Sequence, residues 1–215
     1  YSIHRYIPWY QDKNIIQESA HPNQIVDFFS DKWNKEVSLD SDLNYLIISN
    51  SPDIDISINT SSENVKSKIF WIFYSDSTSP TRAKIEVNLQ NNNTETEIYL
   101  LSITRENQSI SVDGSINMAN WVKKVSWTLL EENLVFWNNI SIKTKPVLNI
   151  YSNDVKASHG ARIEKIDAEK LFYLTSKWIS WSGAETLILD WHIDFVLSHF
   201  DSVDQEAIKS KIIRK

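Results

Sequence analysis

Short segments in which apolar and polar residues alternate dominate the sequence between residues 43 and 163. In the clearest of them, Asp53–Asn59, three isoleucines alternate with aspartate, serine and asparagine, and Lys84–Leu89 alternates in the same way. A period of two places one set of side chains on each face of a β-strand. This region is therefore predicted to form a body of short strands.

Further segments of this kind are predicted to be strands at Ile98–Ile103, Ile110–Ile116, Val125–Leu130, Ile140–Ile142 and Val147–Tyr151. Turn-like stretches separate several of them, at Ser75–Pro80, Gln90–Thr94, Arg105–Ser109 and Glu131–Asn133. Pro146 is expected to begin or flank a strand. Many short strands at regular spacing are typical of a sandwich, a barrel or a β-solenoid, and internal repeats are too weak to choose among these.

The two ends of the chain carry a different pattern. In Gln24–Lys35, the apolar residues Ile25, Phe28, Phe29 and Trp33 stand at helical spacing. After residue 164, Asp167 is predicted to cap a helix over Ala168–Ser176. Two capping boxes predict the later helix starts, at Ser182 with Glu185 and at Ser202 with Gln205. The predicted divisions are a partly helical lead-in at 1–42, a β-body at 43–163 and a helical segment at 164–215.

Composition excludes several classes of function. The chain has no cysteine, so it offers neither a thiolate nucleophile nor a Cys-ligated metal site. Its three glycines form no phosphate-binding loop. A net charge of −6 without a basic stripe argues against nucleic acid and against an anionic membrane surface as partners.

The segment from Lys145 to Leu174 carries an extended motif. It reads Lys-Pro-Val-Leu-Asn-Ile-Tyr, then Asp-Val-Lys-Ala-Ser-His-Gly-Ala at 154–161, and ends on Leu-Phe-Tyr-Leu. This order of residues resembles the C-terminal signature of the SufB/SufD family of iron–sulfur cluster assembly proteins, on the SufD side. The chain departs from that signature at Ala157, where the family has cysteine, at Arg162, where it has threonine, and at Trp178, where it has glycine.

The resemblance implies a right-handed parallel β-helix followed by a short C-terminal helical tail. It implies a non-catalytic scaffold subunit, shortened and divergent, that pairs with a SufB/SufD-type partner as a homodimer or heterodimer. The helical tail would dock a SufC-type ABC ATPase, and that ATPase would carry out any ATP hydrolysis. A bacterial cytoplasm is the expected location, with a plastid-type organelle as the alternative.

His159 is the sharpest candidate site residue, since the matching histidine of the family is implicated in nascent cluster formation at the subunit interface. An imidazole can ligate iron, although a histidine that only packs is the competing interpretation. With no thiolate, the isolated chain is expected to hold no cofactor, and an iron–sulfur cluster would form only transiently at an interface. Asp154, Lys156, Ser158 and Gly160 complete the motif. Gly160 is expected to need a positive φ or a close approach, and Asp154 and Lys156 to be solvated.

Aromatic residues suggest where a partner docks. Trp178, Trp181, Trp191 and Phe195 cluster in the predicted helices, and aromatic enrichment is typical of protein interfaces. We expect removal of 179–215 to abolish ATPase binding while leaving the β-body folded. His192 and His199 stand seven apart on one predicted helix, where packing or docking is favoured over metal binding.

A second hypothesis of another class stays open from the residues. A stand-alone β-sandwich or β-solenoid could bind carbohydrate or protein through some of the nine tryptophans, without a role in cluster assembly. Catalysis finds little support, because Ser158 and His159 are neighbours on a strand and point to opposite faces.

Overall fold

The computed structural model describes residues 23–29, 33–74, 80–104, 108–136, 139–166, 168–201 and 203–213. Within these ranges, eleven strands come first: β1 Gln24–Phe29, β2 Trp33–Leu39, β3 Leu43–Ser49, β4 Asp53–Thr60, β5 Lys66–Tyr74, β6 Thr81–Leu89, β7 Glu95–Thr104, β8 Ser109–Met118, β9 Val125–Val135, β10 Ser141–Ile150 and β11 Val155–Lys165. Three helices follow in the described part of the chain: α1 Ala168–Ser176, α2 Trp181–Leu197 and α3 Gln205–Ile213.

The strands wind into a parallel β-helix with two sheets. Sheet A has the order β1-β3-β5-β7-β9-β11 and sheet B the order β10-β8-β6-β4-β2, and the chain alternates between them. All pairings are parallel, for example Ile69 opposite Ile98 in sheet A and Ile56 opposite Ile85 in sheet B. This arrangement confirms the predicted parallel β-helix with a helical tail. The alternative of a β-sandwich is wrong, because the paired strands are parallel and the chain passes from one sheet to the other turn after turn.

The apolar side chains that alternate along the strands fill the space between the two sheets. Inward-facing residues from both sheets form one buried apolar cluster, among them Trp71, Trp127, Ile56, Ile85 and Ile98. A parallel strand buried on one face needs a continuous apolar row on that face only, which is the pattern seen in β4 and β6. Trp71 lies in this core, as its apolar surroundings in the sequence indicate, and its indole nitrogen donates to Ser49 Oγ at 2.8 Å.

The helices cover the outer face of sheet A. Leu189, Ile193 and Val196 of α2 and Ile208 of α3 pack into a second buried cluster with outward-facing residues of the sheet, including Leu46, Ile48, Phe70, Ile72, Leu101, Ile103 and Leu134. The helical segment therefore shares a core with the β-helix. No helix in the described part of the chain is both long and apolar enough to cross a membrane.

The lead-in is not helical where the structure describes it. The predicted helix over Gln24–Lys35 is wrong, because β1 pairs with β3 and β2 pairs with β4. The β-helix therefore begins about one turn before Leu43. The helical spacing of the apolar residues gave a wrong prediction because Val26 and Phe28 also fit the period of two of a strand. Both pack on the second cluster. The inward Asp27 is buried and accepts hydrogen bonds from Tyr45 and from Lys35, the latter at 2.8 Å.

Two predicted breaks are also absent. The runs predicted at 140–142 and 147–151 form most of one strand, β10, with Pro146 inside it. Proline is tolerated there because β10 is the edge strand of sheet B. The turn predicted at Glu131–Asn133 is wrong, because these three residues lie within β9 and are buried.

The caps of the helices differ from the predicted ones. Ser180, not Ser182, caps α2, since its hydroxyl accepts from Gly183 N at 3.1 Å. Glu185 instead accepts from Trp181 Nε1 at 2.9 Å. At α3, Asp204 accepts from Ala207 N at 3.0 Å. The predicted caps Asp167 and Ser202 lie outside the described residues.

Candidate functional site

His159 lies in β11, the last strand of sheet A, and points between the two sheets. Its Nε2 is 3.1 Å from Glu131 Oε1, and the two side chains are only 3% and 0% exposed. Both residues occupy inward positions of neighbouring strands, since Glu131 lies opposite Ala161 in the β9–β11 register. The last turn of the β-helix therefore contains a buried histidine–carboxylate pair.

Glu131 receives a second hydrogen bond from across the β-helix. Thr144 of β10 donates its hydroxyl to Glu131 Oε2, so both carboxylate oxygens are engaged. A buried carboxylate is tolerated only when such partners replace its lost water. The pair therefore links sheet A to sheet B at this turn.

Gly114 of β8 makes room for this pair. It faces inward, opposite Ile85 on one side and Pro146 on the other. A Cβ atom built on it would collide with Glu131 Oε1 and would lie 2.9 Å from Leu129 Cδ2 and 3.2 Å from His159 Cε1. Glycine is required here by close approach, because any side chain would occupy the space of the carboxylate and the imidazole.

The second nitrogen of the imidazole is free. Among the described residues, His159 Nδ1 has no hydrogen-bond partner although it is buried. When Nε2 donates to Glu131, Nδ1 carries a lone pair. Histidines that ligate metals usually donate one ring nitrogen to a carboxylate or carbonyl and coordinate the metal through the other. His159 and Glu131 show this arrangement. The pair can therefore present one nitrogen ligand to an ion or cluster.

The β-helix is open at the turn that carries His159. β10 and β11 are the edge strands of their sheets at this end. Inward-facing residues that would be buried in the middle of the β-helix are exposed here, namely Leu148, Ile150 and Ile163. Ala157, two residues before His159, packs on the inner core. The site thus lies beside an exposed apolar surface.

The other motif residues lie on the outer face of β11 or, for Asp154, just before this strand. Asp154 and Lys156 are exposed, as predicted, and Ser158 points outward, where its hydroxyl contacts Thr128 Oγ1 at 3.1 Å. The prediction of positive φ at Gly160 is wrong, since none of the described glycines has it. A Cβ atom on Gly160 would meet only Leu130 Cδ1, at 3.4 Å. The glycine that the site needs is Gly114.

The aromatic residues proposed for docking are exposed. Trp178, Trp181, Trp191 and Phe195 all present much of their surface to solvent, and Phe195 also packs against the Tyr99 ring with centroids 5.2 Å apart. Leu187, one turn before Trp191, is exposed as well. The solvent-exposed side of α2 therefore carries an apolar row of Leu187, Trp191 and Phe195.

Trp178 has an unusual backbone. It follows α1 with a φ of 66°, the left-handed conformation that glycine prefers at a helix end, and its side chain is 99% exposed. The amides of Lys177 and Trp178 bond back to Leu174 O and Thr175 O, so the helix closes normally. A tryptophan thus occupies a strained position without burying its ring.

A second polar cluster lies on the outer face of sheet A, under α2. Glu132 accepts hydrogen bonds from Tyr99 and Arg162. Burial alone would raise the pKa of Glu132, but these two hydrogen bonds outweigh it and hold the pKa below its usual value. Burial, and then the hydrogen bond to Glu132, raise the pKa of Tyr99 well above its ordinary range.

His192 and His199 are separated by their packing. His192 faces Glu132, with Nε2 3.7 Å from Oε1, whereas His199 lies against the Phe70 ring at a centroid distance of 4.4 Å. The preference for packing over a metal shared by these two histidines agrees with their different surroundings.

Glu131, Glu132, Gly114 and Tyr99 were not predicted as site residues. The only signal was three polar residues between Leu130 and Leu134. That interruption is equally typical of a turn. Only the strand register shows that consecutive carboxylates enter opposite faces of sheet A.

Comparison with known proteins agrees with the fold and the motif. The family described as "SUF system FeS cluster assembly, SufBD core domain" matches residues 35–190, more than half of the 215 residues. The chain is similar to iron-sulfur cluster assembly protein SufD of Escherichia coli, with 32% identity over 103 residues, which cover 48% of this chain and 24% of that protein.

Two further relatives are similar over shorter segments. A SufBD family iron-sulfur cluster assembly protein of Synechocystis is 41% identical over 61 residues, or 28% of this chain and 14% of the relative. Protein ABCI7, chloroplastic, of Arabidopsis thaliana is 27% identical over 77 residues, or 36% and 16%. The aligned regions span about a quarter or less of the length of these relatives.

Proposed function

Because the chain belongs to the SufB/SufD family of SUF iron–sulfur cluster assembly proteins, we propose that it is a scaffold subunit of such an assembly complex. In this proposal it pairs with a SufB/SufD-type partner and docks a SufC-type ABC ATPase. The observation that carries the proposal is the placement of His159, buried on the last turn with a free Nδ1 beside an open apolar end.

The open end is where the dimer partner binds. Leu148, Ile150 and Ile163 are inward-facing residues left uncovered by the end of the β-helix. A second β-helix stacked on this end would bury them and would pair the free edges of β10 and β11. The partner is a second copy or a different family member, and either one brings its own terminal turn close to His159.

A nascent cluster would lie at that junction as cargo. Iron–sulfur clusters are usually held by thiolates, and this chain has none. His159 Nδ1 would supply one nitrogen ligand, oriented by Glu131, and the partner would supply thiolates or sulfide. Anaerobic reconstitution of the isolated chain is therefore expected to give no cluster that survives desalting.

The ATPase would bind the exposed aromatic face of the helices. Trp178, Trp181, Trp191 and Phe195 are large, apolar and exposed. Aromatic side chains of this kind provide most of the binding energy of an interface, and truncating one costs about 2 kcal/mol or more. Hydrolysis of ATP would take place in the partner. Ser158 and His159 face opposite sides of β11 and form no catalytic pair.

Point substitutions test the docking surface. Co-purification of the chain with a SufC-type ATPase should fail for Trp191→Ala combined with Phe195→Ala. Trp121→Ala is the matched control, because Trp121 is exposed on the β-helix itself and bonds to Gln90 O at 3.0 Å. Equal loss of binding in both variants would refute the proposed surface.

A second experiment tests the role of His159. The complex is purified anaerobically with its SufB/SufD-type partner and ATPase, and its iron and sulfide are measured. His159→Ala should lower iron affinity by about tenfold or more while the subunits still assemble. Ser158→Ala, which changes the adjacent outward residue, should leave iron unchanged.

The alternative, a stand-alone module that binds carbohydrate or protein without a role in cluster assembly, gains no specific support. Among the described residues, the exposed tryptophans apart from Trp121 lie on α2 or between α1 and α2, and not along a face of the β-helix. We place the protein in a bacterial cytoplasm or a plastid-type organelle, because its relatives include a bacterial SufD and a chloroplastic protein.

A further inference from the structure

We propose a second site, for a first-row divalent transition-metal ion, formed by Glu132, Glu164 and His192 on the outer face of sheet A. One ligand atom from each residue lies within 4.8 Å of the others. Glu132 comes from β9, Glu164 from β11 and His192 from α2. The site is separate from the His159 pair, which lies on the inner face of the same sheet.

His192 provides the decisive observation. Its Nδ1 lies 2.7 Å from Ile188 O, an acceptor, so Nδ1 carries the hydrogen. In the neutral ring Nε2 then has a lone pair, and it faces Glu132 Oε1 at 3.7 Å with no hydrogen-bond partner among the described residues. Both side chains are only 4% exposed. A cation placed between Nε2 and Oε1, whether a proton or a metal ion, removes the repulsion of two buried acceptors that face each other.

The donor set fits a specific class of ion. One imidazole nitrogen and two carboxylate oxygens suit Zn²⁺, Fe²⁺ or Co²⁺, with water completing the coordination. The ring of His192 is fixed by the backbone carbonyl of Ile188. The Tyr99 hydroxyl donates a hydrogen bond to Oε2, the other carboxylate oxygen of Glu132. Such outer hydrogen bonds orient metal ligands and are a normal part of metal sites.

Arg162 regulates access to this site. Its guanidinium bonds to Glu132 and lies 3.4 Å from Glu164 Oε2, so it occupies the space between the two carboxylates. The Arg162 side chain is 60% exposed, which lets it swing into solvent when an ion enters. Lys170 also contacts Glu164, at 3.2 Å, from the solvent side. The metal therefore competes with the arginine.

A bound ion would connect elements that are distant in sequence. It would join β9 and β11 to α2, in addition to the apolar contacts between the helix and sheet A. Binding to the folded state alone raises its stability in proportion to the logarithm of metal concentration. Thermal unfolding is therefore a readout that does not depend on cluster assembly.

The experiment uses the full chain, freed of metal by a chelator and titrated with Co²⁺. Co²⁺ absorbance reports coordination, and calorimetry with Zn²⁺ gives affinity. We expect one ion per chain and a higher melting temperature. His192→Gln should weaken binding by about a hundredfold. Arg162→Gln should strengthen it by about tenfold, since a hydrogen bond to a charged group no longer opposes the ion.

Controls separate this site from the others. His199→Gln changes a histidine that lies seven residues after His192, just beyond the end of α2. His159→Gln removes the inner candidate ligand. Both variants should retain Co²⁺ binding. If His192→Gln does not fold, Glu164→Gln replaces it, because Glu164 is partly exposed. Three outcomes would each overturn the proposal. The parent chain could fail to bind Co²⁺, His159→Gln could lose Co²⁺ binding while His192→Gln keeps it, or Arg162→Gln could bind the ion with unchanged affinity. Loss in His159→Gln would leave the proposed function standing.

Discussion

Two glycines that look alike in the sequence have opposite roles in the structure. Gly160 belongs to the family motif, yet it lies on the outside of β11 with room for a methyl group. Gly114 belongs to no motif, but it faces the buried Glu131–His159 pair. The strand register, not the motif, decides which of the two can be replaced.

We expect Gly114→Ala to destabilise the protein by about 1–3 kcal/mol, because the added methyl group overpacks a closed interior. The same substitution at Gly160 should be neutral or slightly stabilising, since alanine restricts the unfolded strand more than glycine does. Urea unfolding of both variants measures the difference. Unchanged stability of Gly114→Ala would mean that the interior can expand to accept the methyl group, which would contradict this prediction.

Trp178 gives the opposite kind of prediction, in which a substitution stabilises. A non-glycine residue at φ 66° is strained, and a ring that is 99% exposed recovers little by burial. Trp178→Gly should raise the stability of the free chain by about 1 kcal/mol. If the tryptophan docks the ATPase, the same variant should bind it more weakly. Thermal unfolding and co-purification measure the two effects separately.

At the scale of elements, the contact between α2 and α3 is partly electrostatic. Lys209 of α3 forms an ion pair with Asp194 of α2. The hydrogen bond to Asp194 raises the pKa of Lys209 above its ordinary value of 10.5, against a smaller opposing effect of burial. This ion pair holds α3, the last helix in the described part of the chain, against α2.

Lys209→Gln should therefore lower stability by about 0.5–1 kcal/mol at neutral pH, the usual size for a partly exposed pair. Because the folded pKa is raised, the contribution is fully present below the ordinary lysine value and is lost as pH rises through the folded value. The difference between variant and parent should thus shrink at strongly alkaline pH. A difference that stays constant with pH would show that the pair acts only through packing.

The strands that could be predicted are those with a clean period of two. β4 and β6 alternate because one face is buried and the other is exposed or half-buried. β1 was missed because the outer face of sheet A, where helices cover it, is apolar too, so alternation is lost. β2 lies in sheet B and was missed because Lys35, which lies opposite Ile56 and donates to Asp27, interrupts its inward apolar row. β9 was truncated for a related reason, since buried carboxylates and Asn133 interrupt its apolar run.

The candidate site was predictable only in part. His159 could be found because it lies in a continuous motif. Its partners Glu131, Thr144 and Gly114 come from three other strands, and only the winding of the β-helix brings them together. The cluster at His192 likewise joins a helix to residues of β9 and β11. No local pattern encodes such contacts.

At the scale of the whole molecule, the helical segment cannot be treated as an appendage. α2 and α3 bury the outer face of sheet A, including Phe70 and Leu134. Removal of 179–215 would expose this face to water, so a truncated chain is expected to aggregate rather than to leave an intact β-body. The expectation of a β-body that folds without the helices does not follow from this architecture, and surface substitutions are the better test of docking.

The opposite situation holds at the end of the β-helix, where apolar residues have no cover. Leu148 and Ile163 are exposed although they continue the inward rows of sheets B and A. We expect Leu148→Lys combined with Ile163→Lys to abolish association with the SufB/SufD-type partner, because two charges would have to be buried without counterions.

The matched control lies at the other end of the β-helix. Ile25 is exposed and lies opposite the inward-facing Tyr45. Ile25→Lys makes the same chemical change on the first strand, far from His159 along the stack of turns, and should leave association intact. Sedimentation of each variant, alone and mixed with the partner, measures the assembly. Retained association of the double variant would place the interface elsewhere, whereas loss in both would mean that the partner contacts both ends. Only loss in the double variant alone agrees with a junction at the last turn, where a partner's ligands could reach His159.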